Sequence, residues 1–375
     1  MSTLRSWVNE PIAVFAYDFP HRKTNEFLKQ LKFMGLNDVL VLAAPKIKLN
    51  VSKTDELYEG FDSKAYSENT KEICTRLNYK YVSIPHDSAV EIQELTNQHK
   101  TNFAIIAGAR ILKKEIIQLF PEGVLNFHPG KIPQTSGLDS LYYTFMKGAE
   151  AGVTVHLIDE KVDAGRQWCF EPIELQAFDN LSTITEKIFQ LQIGLLGKFL
   201  NETSPGNIMV HPVIRESKNL PMNLEEKVAA YLGFDRWLVT QISKQKDENV
   251  YKACASDDLN RLRKYLKPHE VNLPIECGWT PLIVSAFHHS KTTLIWLLEN
   301  GANVNQSNAK GTTPLMYAKT KYLNNASNKY EILDLLLGSG AVIAQKDIFG
   351  KTIIDYCQEA NDSALVNFLT KTNLQ

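Results

Sequence analysis

The first 200 residues alternate short apolar runs with stretches of helical periodicity. Residues 12–17 (Ile12-Ala13-Val14-Phe15-Ala16-Tyr17) are apolar without interruption, the pattern of a strand covered on both faces. Asp18-Phe19-Pro20-His21 breaks the run, and residues 25–34 then carry apolar side chains at helical spacing up to Gly35. The same reading predicts a strand over 39–44, a helix near 69–77, a strand over 81–84, a helix near 90–99 and a strand over 103–107. Strands alternating with helices predict an α/β fold with a doubly wound, mostly parallel, Rossmann-like sheet. Further strands are predicted over 153–158 and 168–173, and a helix over 140–147. A long helix over 181–200 closes this part, with Asp179-Asn180 ahead of it and Ser182 and Thr183 as candidate caps.

The pattern changes after residue 200. Residues 201–245 are mixed, with the breakers Ser204-Pro205-Gly206 and Asn219-Leu220-Pro221 and a helical stretch over 224–237, and read as a connector and candidate dimer contact. From 246 the chain repeats itself. Gly278-Trp279-Thr280-Pro281-Leu282 returns as Gly311-Thr312-Thr313-Pro314-Leu315 after 33 residues (311 − 278), and a degenerate copy, Gly350-Lys351-Thr352-Ile353-Ile354, follows a polar insertion around 323–328. Leu runs ending in Gly-Ala (Gly301-Ala302, Gly340-Ala341) close the repeats, and 252–259 reads as an atypical capping unit. Thr-Pro starts a helix, the Leu run packs on the neighbouring repeat, and Gly ends the second helix. This resembles an all-α ankyrin-repeat array. The expected organisation is therefore 1–200, 201–245 and 246–375.

Composition narrows the class. The chain has 375 residues, 41 Lys+Arg against 42 Asp+Glu, and 44% hydrophobic and 10% aromatic residues, as expected of a folded chain with no electrostatic claim on nucleic acid. Its five cysteines, Cys74, Cys169, Cys254, Cys277 and Cys357, are scattered without a CxxC pair, so neither a zinc site nor a disulfide framework is expected. No apolar run approaches the ~20 residues of a membrane span, and the first residues lack the apolar region of a signal peptide. A reduced, cytoplasmic protein without membrane or nucleic-acid partners is the expectation.

The candidate chemistry sits at Val124-Leu125-Asn126-Phe127-His128-Pro129-Gly130-Lys131-Ile132-Pro133. Asn126 and His128 are two apart at a strand end, so they share one face, and Pro129, Gly130 and Pro133 force an ordered loop. An amide can donate to a developing oxyanion, and an imidazole can stabilise charge or move a proton. Taken alone, the two side chains are better read as hydrogen-bonding their own loop. Val162-Asp163-Ala164-Gly165-Arg166-Gln167 adds a carboxylate in a turn downstream. No GxGxxG follows the first strand, which argues against a dinucleotide cofactor.

Asn126, His128 and Asp163, in the order Asn-x-His-Pro then Val-Asp-x-Gly, resemble the N-formyltransferases that use N10-formyltetrahydrofolate. The likeness covers roughly the first 200 residues. One departure is visible: many members carry Ser where this chain has Gly130. The resemblance implies a catalytic trio of Asn126, His128 and Asp163 that needs no metal. It also implies a folate pocket lined by Ile84, His86, Asp87 and Ser88 and by Ala107, Gly108, Arg110 and Ile111, largely through main-chain groups. Without the family, Gly108 reads equally as turn chemistry and Arg110 as a solvated side chain. The polar residues ahead of the 140–147 helix, Gln134, Thr135, Ser136 and Gly137, with Lys131 nearby, are candidate contacts for a sugar or its pyrophosphate, or else a helix-capping loop.

Formyltransferases with ankyrin tails resemble one bacterial subgroup in particular, which formylates dTDP-linked 3-amino-3,6-dideoxyhexoses for O-antigen and other surface polysaccharides. In that subgroup the tail is implicated in a second nucleotide-sugar site, and an exposed Trp279 at a turn tip is the candidate residue here, stacking on a planar ligand. Trp296, at a Leu-type position, is read as packing. Protein binding is the ordinary use of such repeats. The rival expectations are a dTDP-4-amino sugar, glycinamide ribonucleotide or methionyl-tRNA as acceptor, or a non-catalytic interaction protein. Methionyl-tRNA calls for a basic tail that the balanced charge does not supply.

Overall fold

The computed structural model describes residues 6–46, 68–109, 111–160, 165–213, 219–275, 278–319 and 330–372. Asp163, Arg110 and Cys277 lie outside the described residues. Two compact units result, residues 1–241 and 242–375.

The first unit is built on one sheet of eight strands. β1 (Ile12–Tyr17), β2 (Val39–Ala44), β3 (Lys80–Ser83), β4 (Phe103–Ile106) and β5 (Gly123–His128) are parallel in the spatial order β3-β2-β1-β4-β5. β6 (Gly152–Leu157), β7 (Arg166–Pro172) and β8 (His211–Pro212) extend it antiparallel. The predicted α/β sheet is the observed one, mostly parallel. β1 and β2 are buried along nearly their whole length because helices cover both faces, which explains their unbroken apolar sequence. These are α1 (Arg22–Phe33), α2 (Thr70–Leu77), α3 (Ala89–His99), the short α4 (Lys114–Ile117), α5 (Ser140–Lys147) and α6 (Leu181–Glu202).

Local signals account for the helix ends. His21 caps α1 by accepting from the Thr24 amide, and Asn180 and Thr183 form a reciprocal capping box on α6. α6 is locked to the sheet by a stack of Trp7, Phe103 and Phe199, and Trp7 Nε1 donates to Thr203 Oγ1 at 2.9 Å.

The 224–237 helix differs from expectation. Gly233 interrupts it, giving α7 (Leu224–Leu232) and α8 (Phe234–Ala255). α8 carries no breaker until Asp257 adopts positive φ, so the expected boundary at 245/246 falls inside a continuous helix.

The second unit stacks α9 (Leu259–Tyr265), α10 (Pro281–His288), α11 (Lys291–Glu299), α12 (Pro314–Ala318), α13 (Glu331–Gly338), α14 (Ile353–Glu359) and α15 (Ser363–Thr372) with the end of α8. Thr280, Thr313 and Thr352 each cap the helix that follows, with Pro281 and Pro314 in the first turn. Leu282, Leu294, Leu297, Leu315, Leu333 and Leu336 form the shared core, and Trp296 packs against it as expected. Asparagines repeat with the structure. Asn272 bonds Gly301 O and the Asn303 amide, and Asn305 bonds Gly340 O and the Val342 amide, stitching each turn to the next.

Candidate active site

Asn126 and His128 lie on the last turn-free stretch of β5, whose backbone pairs with β6: Asn126 faces His156, and His128 faces Thr154. This register supplies what the sequence pattern alone did not. The Asn126 Nδ2 donates to His156 Nε2 at 3.1 Å, and His156 is fully buried. One amide hydrogen is thereby fixed in direction and the second remains for a ligand. The clue to His156 was a histidine inside a mostly apolar strand, where a buried polar ring needs a partner. Which partner depended on strand register.

His128 is buried, and its Nε2 lies 2.9 Å from the carbonyl oxygen of Thr135. A carbonyl only accepts, so Nε2 carries the proton, and in the neutral ring the lone pair is on Nδ1. The loop that brings Thr135 back to His128 is tied down locally. Thr154 Oγ1 donates to Gly130 O at 2.6 Å and accepts from the Ile132 amide at 3.2 Å, and Ser140 Oγ donates to Pro129 O at 2.7 Å. Gly130 is a close approach: a Cβ there would lie 2.2 Å from Thr135 Oγ1 and 3.1 Å from His128 Nε2. Glycine in place of the expected Ser therefore goes with a threonine folded over it.

The loop side chains proposed to touch substrate are largely turned inward. Thr135 Oγ1 donates to Lys131 O and Ser136 Oγ to Pro133 O, both at 3.1 Å, and both residues are buried. Lys131 is ion-paired with Glu150 and lies 5.1 Å from the Phe170 ring centroid. Gln134 is exposed, and Gly137 has φ +100°. At the N-terminus of α5, where an anion was expected, stands a carboxylate of the chain itself. Asp139 accepts from the Met222 amide and pairs with Lys227 at 2.9 Å.

The expected folate rim lies beyond the carboxyl ends of β1, β3 and β4. Ile84 is buried and Asp87 and Ile111 are exposed, while Ser88 precedes α3 without a side-chain cap bond. His86 is buried instead of lining the rim, because its Nε2 donates to Leu42 O at 3.0 Å and its ring stands edge-on to Phe15. The amides of Ala107 and Gly108 both donate to Phe15 O at 3.0 Å, and Tyr17 and His21 press so close to Gly108 that a Cβ would sit 2.8 Å from the Tyr17 ring.

Two titratable side chains absent from the expectations stand close by. Lys23 Nζ donates to Phe127 O, between Asn126 and His128, at 3.3 Å, and burial lowers its pKa to about 7. His21 is pushed down to about 4 by burial and by Lys23. Among the described residues no cluster of three or more His, Cys, Asp or Glu side chains is placed to hold a metal. No described helix is long and apolar enough to cross a membrane.

In the second unit Trp279 is half-buried, not exposed. Its ring centroid lies 4.4 Å from that of Tyr317 and 5.4 Å from that of Phe287, because the turn folds back on α10 and α12.

Residues 46–200 match the formyl transferase family, and residues 250–347 match ankyrin repeats (3 copies). The chain carries a formyl transferase domain followed by ankyrin repeats. It is similar to a methionyl-tRNA formyltransferase of a Wolbachia strain from Drosophila simulans, at 28% identity over 203 residues, covering 54% of this chain and 58% of that protein. It is also similar to the phosphoribosylglycinamide formyltransferase of Bacillus subtilis, at 31% identity over 103 residues, covering 27% and 53%. The chain thus spans little more than half the length of these relatives. Among solved structures, the phosphoribosylglycinamide formyltransferase of Streptococcus pneumoniae aligns at 17% identity with a TM-score of 0.40, over 52% of this chain and 98% of that one.

Proposed function

We propose that the protein transfers the formyl group of N10-formyltetrahydrofolate to the 3-amino group of a dTDP-3-amino-3,6-dideoxyhexose, in the synthesis of O-antigen or another surface polysaccharide. The observation that carries formyl transfer is the Asn126 amide, aimed by His156 and set beside His128 within the formyl transferase domain. The amino-sugar acceptor rests on the resemblance to transferases with ankyrin tails and on a tail without basic excess. That resemblance also supports a homodimer in the bacterial cytoplasm and a second nucleotide-sugar site beside Trp279, whose ring packs on Tyr317 and Phe287.

In this reading the sugar amine attacks the formyl carbon, forming the new C–N bond and an oxyanion. Asn126 donates its remaining amide hydrogen to that oxyanion. His128, with Nε2–H held by Thr135, lies beside the oxyanion and stabilises it together with Asn126. Asp163, by resemblance, holds or charges His128 and takes the amine proton, directly or through water. Collapse of the intermediate breaks the bond to N10, and the proton passes to N10 as tetrahydrofolate leaves. The test is an assay of the full chain with N10-formyltetrahydrofolate and a panel of acceptors: dTDP-3-amino- and dTDP-4-amino-dideoxyhexoses, glycinamide ribonucleotide and methionyl-tRNA. Formylation of the 3-amino sugars with kcat/KM well above the others is expected. Preference for any other acceptor, or none, overturns the assignment.

A further inference from the structure

The loop that holds His128 is itself held from outside the 46–200 match, by residues 219–227 just ahead of and within α7. Asn219 is the centre of this contact. Its Nδ2 donates to both Gln134 O, at 3.0 Å, and Ser136 O, at 2.9 Å, and its own amide donates to Ser136 O at 3.2 Å. Its Oδ1 accepts from Lys147 Nζ at 2.6 Å, and Lys147 donates to Gln134 O at 2.9 Å. With the carbonyls of residues 134 and 136 committed to Asn219, the carbonyl between them, that of Thr135, is the one delivered to His128. The approach is close enough that a Cβ at Gly137 would lie 2.8 Å from Asn219 O.

A second clamp stands three residues further along the loop. Lys227, only 5% exposed, pairs with Asp139 at 2.9 Å, and the Met222 amide donates to the other oxygen of that carboxylate at 2.9 Å. A buried ammonium keeps its charge at such a site only with a partner, so the pair fixes the distance between α7 and the loop. Tyr142, Met222 and Ala230 form an apolar cluster between α5 and α7, and Tyr143 Oη donates to Leu220 O at 2.8 Å. The segment is therefore built against the loop by charge, by hydrogen bonds and by packing together.

We propose that Asn219 and Lys227 are positioning residues of the formyl-transfer site: they fix the Thr135 carbonyl and through it the Nε2–H tautomer of His128. This rests on the proposed reaction for its kinetic consequence but not for its spectroscopic one. The connector is then part of the catalytic apparatus, and residues 46–200 alone lack the clamp.

The experiment uses the full chain with 15N-labelled histidine, His128 being assigned from the signal missing in His128→Gln. The wild type is expected to show His128 as the Nε2–H tautomer when neutral. In Asn219→Ala the tautomers are expected to mix, and kcat for the accepted amine to fall on the order of 10²-fold with KM for the folate unchanged, as a misplaced catalytic group predicts. Lys227→Met alone strands a half-buried carboxylate and is expected to fold poorly. The second clamp is therefore tested as Lys227→Met/Asp139→Asn, where Asn keeps the oxygen for Met222 and suits the left-handed backbone of position 139, φ +57°. Lys227→Arg is expected to restore both readouts. An unchanged His128 tautomer in a folded Asn219→Ala overturns the proposal, as does a mixed tautomer with wild-type kcat. If no acceptor on the panel reacts, the assigned reaction fails while the tautomer result still decides the clamp.

Discussion

Gly130 offers the sharpest quantitative test of the loop. A Cβ at this position would lie 2.2 Å from Thr135 Oγ1, more than 1 Å inside ordinary van der Waals contact, and 3.1 Å from His128 Nε2. Neither neighbour is the free end of a flexible chain. Thr135 is fully buried with its hydroxyl on Lys131 O, and its carbonyl is bound to His128. Gly130→Ala must therefore move the loop or the ring. Overpacking of this kind costs about 1–3 kcal/mol, equivalent to roughly 2–12 °C in melting temperature for a unit of this size. Thr135→Ala alone should cost about 0.5–1.5 kcal/mol, the value of a lost hydroxyl hydrogen bond. In the double variant the closest atom is gone and the next contacts are 3.1 and 3.2 Å, so most of the clash is relieved. The melting transition of the first unit, followed by scanning calorimetry on all four proteins, should then give a favourable coupling of at least about 1 kcal/mol between the two sites. Additivity to within about 0.5 kcal/mol would refute the close approach, and with it the account of why this chain has glycine here.

Further expectations concern the reacting groups. His156→Leu removes the acceptor that aims the Asn126 amide, and Asn126→Ala removes the donor itself. Steady-state kinetics should show both losing on the order of 10²–10³ in kcat, and wild-type turnover in His156→Leu would mean that Asn126 needs no aiming. Lys23 should titrate near pH 7 in the folded chain, against ~10.4 when unfolded. The unfolded chain then binds more protons between those values, so Lys23 weakens the fold at and below about pH 7 and this penalty fades as pH rises toward 10. Urea midpoints between pH 6 and 9 should rise for the wild type relative to Lys23→Met, and parallel curves would show that Lys23 titrates normally.

Much of the molecule follows from short-range pattern. β1 and β2 end at the residues where their apolar runs end, because a strand buried on both faces tolerates no polar side chain. The Thr-Pro starts at Thr280 and Thr313 mark α10 and α12 because a capping hydroxyl and a fixed proline φ act within one turn. Asn126 and His128 stand together because residues two apart on a strand share a face. The same local signals fail where a helix continues through a region of mixed composition, as α8 does from Phe234 to Ala255.

What only the tertiary structure decided are the partners. His156 meets Asn126 through the register of β5 against β6, 30 residues apart in sequence. Asn219 and Lys227 reach the loop 83 and 88 residues before them. Thr135 and Ser136 turned inward, and Trp279 came to rest on Tyr317 instead of in solvent. The sequence by itself determined which residue types stand at a strand end and where the Thr-capped repeat helices begin, because periodicity and capping act over a few residues. Which side chain satisfies which buried donor is settled by packing between elements distant in the chain, and no local pattern encodes that.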